Sequence, residues 1–175
     1  RETRLRSLAD KLEAEHGIHC EIVPADLSEP HAGRQLLAEV SSRGIVVELL
    51  VNNAGFGMVS SVAETDLGRA LELIQVNVVG LTELTLLMAK EMAGRGHGGI
   101  INIGSIVAFQ PVGYMGIYAA SKAYVLHFSE ALWAEMRGHG VTVTTLCPGT
   151  TRTEFFDRSG VPGWAEKNRG ADVAS

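Results

Sequence analysis

The chain of 175 residues is 46% hydrophobic and 20% charged, the make-up of one globular domain with a sizeable core. Its formal net charge of −5 gives no electrostatic footprint for nucleic acid or for an anionic membrane as partner. Cys20, Cys147 and six scattered histidines lack metal-ligand spacing, so the expectation is no metal site and a reducing, cytoplasmic setting.

Taken in order, Arg1 to Glu15 places Leu5, Leu8 and Leu12 at helical spacing among charges, with Gly17 as the stop. Ile18 to Pro24 reads as a short apolar strand closed by Ala25-Asp26-Leu27. Ser28 is the expected N-cap, with Pro30 just inside, of a helix running to Ser42 that turns Leu36, Leu37 and Val40 inward. Ile45 to Val51 is an apolar strand that runs into Asn52-Asn53-Ala54-Gly55-Phe56-Gly57. Asp66 opens a long helix to Ala93, with Leu67, Leu71, Ile74, Val78, Leu81, Leu84 and Leu87 on its expected buried side. Ile100 to Ile103 is the next strand, Ile117 to Gly138 the next helix, and Val141 to Leu146 a strand that meets Pro148-Gly149. No uninterrupted apolar run has the length of a bilayer span, and the front of the chain lacks a signal-peptide pattern.

Apolar strands alternating with helices predict an α/β fold with a parallel sheet covered on both faces. In such folds ligands bind at the carboxyl ends of the strands. Asp26, Asn52, Ser105 and Pro148 all fall at predicted strand exits. Past Ser105, Tyr118 and Lys122 stand four residues apart on a predicted helix, so they share one face. An ammonium beside a phenol favours the phenolate, and a serine hydroxyl nearby can bond an oxygen as it gains charge. That set can exchange a proton with a carbonyl/alcohol pair and needs a hydride partner.

Together, Asn52-Asn53-Ala54-Gly55, a serine thirteen residues before the tyrosine, Tyr118-x-x-x-Lys122 and Pro148-Gly149 resemble the short-chain dehydrogenase/reductase family. The resemblance covers essentially the whole chain, and it implies a Rossmann-type doubly wound parallel sheet binding NADP(H) or NAD(H). It implies Tyr118 as general acid/base, Lys122 as holder of the nicotinamide ribose, and Ser105 as the group that orients the substrate carbonyl. Asn77 in Asn77-Val78-Val79-Gly80 matches the helix asparagine that supports a proton-relay water. Asp26, with Leu27, would meet the adenine ring, and Asn52, Asn53, Ala54 and Gly55 the adenosine and central portion. Pro148 and Gly149 would lie against the nicotinamide, with Thr151 or Thr153 bonding its carboxamide. Arg1, with Arg4, lies where members preferring the phosphorylated cofactor place an arginine, so NADP(H) is favoured over NAD(H).

The family's glycine-rich turn, which takes the pyrophosphate at a helix N-terminus, has no counterpart in these residues. Gly94 to Gly99 precedes a strand and cannot replace it. The first βαβ portion is therefore expected to precede Arg1. The resemblance divides the chain into a dinucleotide-binding and catalytic core over 1–149 and a substrate-lid segment over 150–175. That lid carries Gly160, Gly163 and Gly170 as hinge candidates, and Phe155, Phe156 and Trp164 join Phe109, Gln110, Tyr114 and Met115 around the site, which suits a small apolar alcohol or ketone. The helices over 66–93 and 117–138, with Leu126 and Trp133 outward, are the expected contacts of a homodimer or homotetramer. The competing reading is a non-catalytic dinucleotide-binding sensor or scaffold on the same fold, which has no need of Asn77, Ser105, Tyr118 and Lys122 together.

Overall fold

The computed structural model describes residues 2–151 and 154–161. At its centre β1 (Leu49–Asn52), β2 (Gly98–Ile103) and β3 (Val141–Leu146) form a parallel sheet in chain order. Parallel neighbours need a crossover rather than a tight turn. The first crossover is one continuous helical run: a helix over Leu67–Ile74, a π-helical turn over Gln75–Gly80 and a helix over Leu81–Arg95. Numbered in chain order, the helices are α1 (Glu2–His16), α2 (Ala32–Ser42), α3 (Leu67–Ile74), α4 (Leu81–Arg95), α5 (Gly116–Met136) and the short α6 (Phe155–Arg158). α5 is the crossover from β2 to β3.

The two-residue period of the strands sends Ile100, Val141 and Val143 to one face, where Met88, Ala89 and Met92 of α4 and Leu132 and Met136 of α5 close over them. The same face carries buried amides. Asn52 donates to Thr85 Oγ1 at 2.9 Å and to Asn102 Oδ1 at 2.8 Å, and Asn102 donates to Ser129 Oγ at 2.8 Å. The Ser129 hydroxyl donates to the Val125 carbonyl at 2.7 Å. These bonds tie β1, α4, β2 and α5 at one depth, and each pairs a group that would be costly to bury alone. Gly98 (φ 150°) and Gly140 (φ 72°) begin β2 and precede β3, and a methyl on either would run into Met92 or into the Gly96 carbonyl.

The structure departs from the sequence expectations at several points. Residues 18–24 form no strand, because no neighbouring strand among the described residues completes a ladder beside them. They are held by side chains instead: Arg43 grips Glu21 at 2.8 Å and the Ile22 carbonyl at 3.3 Å, and Glu13 accepts the Cys20 N–H at 2.8 Å. β1 begins at Leu49 rather than Ile45. Ser28 does not cap α2, since its N–H (2.9 Å) and hydroxyl (2.6 Å) are both held by Asp26. The chain turns again before α2 starts, and Glu83 of α4 accepts the first-turn N–H of Arg34 at 3.3 Å.

Asp66 does cap α3, accepting the Arg69 N–H at 2.6 Å. However, Leu67, Leu71 and Ile74 are exposed, and Ala70, Leu73, Asn77 and Gly80 lie inward. The run holds two apolar stripes, and the π-helical turn resets which one faces the sheet. Leu126, expected outward, is buried, while Trp133 is 48% exposed. Leu5 and Leu8 of α1 are exposed, and Ala9 is that helix's one buried residue among those described. Helices cover one face of the sheet only, among the described residues, and Leu49, Val51 and Leu146 of the other face are exposed. By length and composition Leu67–Arg95 is apolar enough to cross a membrane, but its buried side is the core side already described.

Asn102→Leu keeps the volume of the network's central residue and strips Asn52 and Ser129 of a partner. The expected loss is roughly 2–4 kcal/mol of unfolding free energy, read from the midpoint of urea denaturation. A midpoint unchanged within error would show the network to be dispensable.

Candidate active site

α5 brings Tyr118 and Lys122 to the carboxyl end of β2, and both side chains are buried at that point. Lys122 Nζ donates to the carbonyl of Ile103, the last residue of β2, at 2.7 Å. Two residues on, the buried Ser105 hydroxyl lies on the Tyr118 phenol's side of the site and favours its charged form. Ser105 is held from both sides: the Gly104 N–H donates to the Leu146 carbonyl at 2.7 Å and the Ile106 N–H to the Pro148 carbonyl at 3.1 Å. Ser105 Oγ also accepts the Val107 N–H at 3.4 Å. The exits of β2 and β3 are thus sewn together around the serine.

Burial pushes the Tyr118 phenol above its ordinary value, and the Ser105 hydroxyl opposes this. The sequence expectation of a phenol lowered by its lysine is not met, because burial sets the direction of the shift. Lys122 Nζ sits 5.9 Å from the Tyr118 ring centroid, with the Ile103 carbonyl as its acceptor. Burial lowers the lysine itself to about 8, and the nearby Cys147 opposes that shift. A desolvated ammonium next to a desolvated phenol is a strongly perturbed pair of the kind found at functional sites.

Asn77 lies in the π-helical turn and is 1% exposed. Its side chain donates to the Phe56 carbonyl at 2.9 Å and accepts the Phe56 N–H at 3.1 Å, so it grips that backbone in both directions. It also donates to Ser121 Oγ at 3.2 Å, which joins the turn to α5. Gly55 faces this group: a Cβ there would stand 3.0 Å from Asn77 Oδ1 and 3.7 Å from Lys122 Nζ. On the other side of the turn, Gly80 lets Leu27 approach, with a Cβ at Gly80 falling 3.6 Å from that of Leu27.

The remaining sequence candidates divide. Asn53, Ala54 and Gly55 are exposed at the exit of β1, and Asp26 is exposed with Leu27 half-buried beside it. Hydrogen bonds from Ser28 hold the Asp26 carboxyl below its ordinary value. Asn52, by contrast, turns into the core network and away from this surface. Pro148, Gly149 and Thr151 line the exit of β3, where Thr151 Oγ1 donates to the Gly149 carbonyl at 3.2 Å. Arg1 and Thr153, with Gly163, Trp164 and Gly170 of the tail, lie outside the described residues. Arg4 binds both oxygens of Glu154 at 2.8 Å, which raises the guanidinium and lowers the carboxyl.

Two features had only a faint signal in the sequence. Ser121 joins Asn77 to α5 and donates to the Tyr118 carbonyl at 2.7 Å; a serine between Tyr118 and Lys122 was the hint. Asn102, in an otherwise apolar strand, signalled the buried network. A groove of about 370 Å³ lies beside the loop after β2, lined by Phe109, Gln110, Pro111 and Ala120 among others, but Ser105, Tyr118 and Lys122 do not line it.

This arrangement has counterparts. A family model described as short chain dehydrogenase matches residues 1–160. Sulfoacetaldehyde reductase 2 of Chromohalobacter salexigens is 32% identical over 157 residues, 89% of this chain and 62% of that protein. A short-chain dehydrogenase of Sphingobium yanoikuyae, solved in complex with NADPH, superposes with a TM-score of 0.88 at 33% identity, covering 97% of this chain and 66% of that one. A putative NAD(P)-dependent gluconate 5-dehydrogenase of Beutenbergia cavernae, with bound NADP, gives 0.85 at 30% identity over 96% of this chain and 70% of that one. The chain spans 28% of a probable oxidoreductase of Mycobacterium tuberculosis to which it is 31% identical, so it is shorter than the relatives it matches. With its parallel Rossmann-like α/β sheet and a match over residues 1–160, the chain belongs to the short-chain dehydrogenase family.

Proposed function

We propose that the protein is an oxidoreductase transferring a hydride between NADP(H) or NAD(H) and an alcohol/ketone pair, with Tyr118 moving the proton. The observation that carries the reading is convergence: Ser105 from the exit of β2, Tyr118 and Lys122 from α5, and Asn77 from the π-helical turn meet at one carboxyl end of the sheet.

The residues present fit a dinucleotide. Gly55 keeps the approach to Asn77 and Lys122 clear of side chain, and among the described residues the Lys122 ammonium has a single hydrogen-bond acceptor. In this fit Asp26 and Leu27 take the adenine end, and Asn53, Ala54 and Gly55 the central portion. Lys122 holds the nicotinamide ribose, while Pro148, Gly149, Thr151 and Thr153 border the nicotinamide. The NADPH and NADP of two solved relatives, and the arginine at position 1, favour NADP(H).

The bound nicotinamide supplies or accepts the hydride, and the chain's own residues manage the oxygen and its proton. The raised phenol of Tyr118 is protonated at neutral pH and donates to the carbonyl oxygen as charge builds there. Ser105 bonds the same oxygen and fixes its position. The resulting phenolate is stabilised by the Lys122 ammonium, and Asn77 keeps the Phe56 loop and α5 in register beneath them. A small apolar substrate suits the aromatic surroundings, and residues from 150 onward act as its lid. Exposed Leu67, Leu71 and Trp133 support association of two or four copies through α3–α4 and α5. The free thiols of Cys20 and Cys147 suit a reducing cytoplasm.

Tyr118→Phe removes the proton donor and leaves the ring's packing. We expect turnover of ketones with NADPH to fall about 10²–10⁴-fold with cofactor affinity, measured by NADPH fluorescence, preserved. Unchanged turnover would remove Tyr118 from the reaction. A second test addresses Lys122, which releases its proton at about 8 in the folded chain and at 10.5 ordinarily. Between those values the unfolded chain binds the extra proton, so stability rises with pH across the window, and Lys122→Met lacks that rise. Carbon NMR of the lysine ε positions should show one group titrating near pH 8 that vanishes in the variant. Lysines titrating uniformly near 10.5 would rule out the desolvated ammonium.

A further inference from the structure

Gly57 has no backbone need to be glycine, because it is not among the chain's left-handed residues. What constrains it is space. It is buried, and a Cβ there would collide with Cζ of the Phe155 ring and stand 2.8 Å from Ser159 Oγ and 3.1 Å from Phe155 Cε1. The same Phe155 ring packs on Tyr118, with centroids 5.2 Å apart and planes at 50°. That separation leaves no slot between the two rings for a substituent. Phe156 meets Phe155 edge-on at 5.2 Å and backs the ring from behind.

The segment carrying Phe155 is seated on the loop after β1 by more than this contact. The Val59 N–H donates to the Ser159 carbonyl at 3.0 Å, and the buried Ser159 hydroxyl donates to the Phe155 carbonyl at 2.7 Å. The next N–H of the loop, that of Ser60, donates to the Tyr114 carbonyl at 2.9 Å. Successive amides of one loop therefore hold two walls of the entrance, α6 on one side and the loop before α5 on the other.

We propose that Phe155 is a specificity-determining residue that limits the size of one substituent on the reacting carbon, and that Gly57 is the positioning residue that lets it do so. The inference rests on the assignment of Tyr118 as the proton donor. A carbonyl within hydrogen-bond reach of the Tyr118 hydroxyl carries its substituents within a few ångströms of the Phe155 ring. With the ring seated, the favoured substrates are carbonyl compounds with a compact apolar group on that side, and a second bulky group is excluded by contact. Any side chain at position 57 unseats the ring.

The test compares kcat/KM for methyl ketones and for ketones with two bulky groups, using NADPH and the complete polypeptide that carries these residues. Phe155→Ala should raise the bulky-to-methyl ratio about tenfold or more. Gly57→Ala should shift the ratio in the same direction, and in the Phe155→Ala background it should add less than about twofold, because the ring it displaces is gone. A purely structural glycine would instead lower both substrates equally and add in either background, and that outcome would overturn the role of Gly57. A ratio unmoved by Phe155→Ala in an active enzyme would overturn the whole inference while sparing the assignment of Tyr118. Absence of turnover by the unsubstituted protein across the panel would overturn the hydride-transfer reading and this inference with it.

Discussion

The two-way grip of the Asn77 amide on the Phe56 backbone is the contact on which the site's geometry depends. Asn77 sits where the helical run between β1 and β2 widens into a π-helical turn, so its side chain projects toward the exit of β1. A regular α-helix through these residues would carry the later positions round by a different angle and would not present the same stripe to the sheet. The amide also reaches Ser121, and through it the carbonyl of Tyr118. One buried side chain thereby fixes the loop after β1 relative to the helix that carries the tyrosine and the lysine.

A second set of contacts does the same work deeper in the sheet. Asn52, Thr85, Asn102 and Ser129 make a polar chain across β1, α4, β2 and α5 in a core otherwise formed by methionine, leucine and valine. Apolar packing alone tolerates small slides between helix and sheet, whereas hydrogen bonds between buried amides have one good register. Register matters here because Lys122 must reach the Ile103 carbonyl and Ser105 must reach Tyr118 from adjacent elements. Core polarity and site chemistry are linked in this fold through alignment rather than direct contact.

Much of this was legible in the sequence, and what was not has physical reasons. Tyr118 and Lys122 were visible because helical spacing alone puts them on one face, and β2 and β3 because their strands are short and apolar between turn residues. The strand expected over 18–24 failed because pairing is a non-local property: an apolar run becomes a strand only with a neighbour beside it. Ser28 failed as a cap because an aspartate two residues earlier competes for the same hydroxyl. Of the expected buried side of the helix over 66–93, Leu81 and Leu84 are buried but Leu67, Leu71 and Ile74 are not, because hydrophobic periodicity cannot reveal the π-helical turn between the two parts. Asn52 looked like a ligand contact because it stands next to ones that are exposed, but alternation along β1 sends it inward.

Burial raises the phenol of Tyr118 and lowers the ammonium of Lys122, shifting both groups toward their neutral forms. At about 8 the lysine still carries its charge at neutral pH, with the Ile103 carbonyl as acceptor, beside a protonated phenol. In the proposed reaction, proton donation from the phenol creates an anion in a place where burial disfavours anions. The site can host that anion only if the lysine is charged at the same moment, and hydroxyl groups that accept from the ammonium favour its charged form. In the proposed reaction, the proton chemistry of Tyr118 and cofactor binding at Lys122 are coupled through one desolvated volume: what stabilises the ammonium also makes the phenol a better acid.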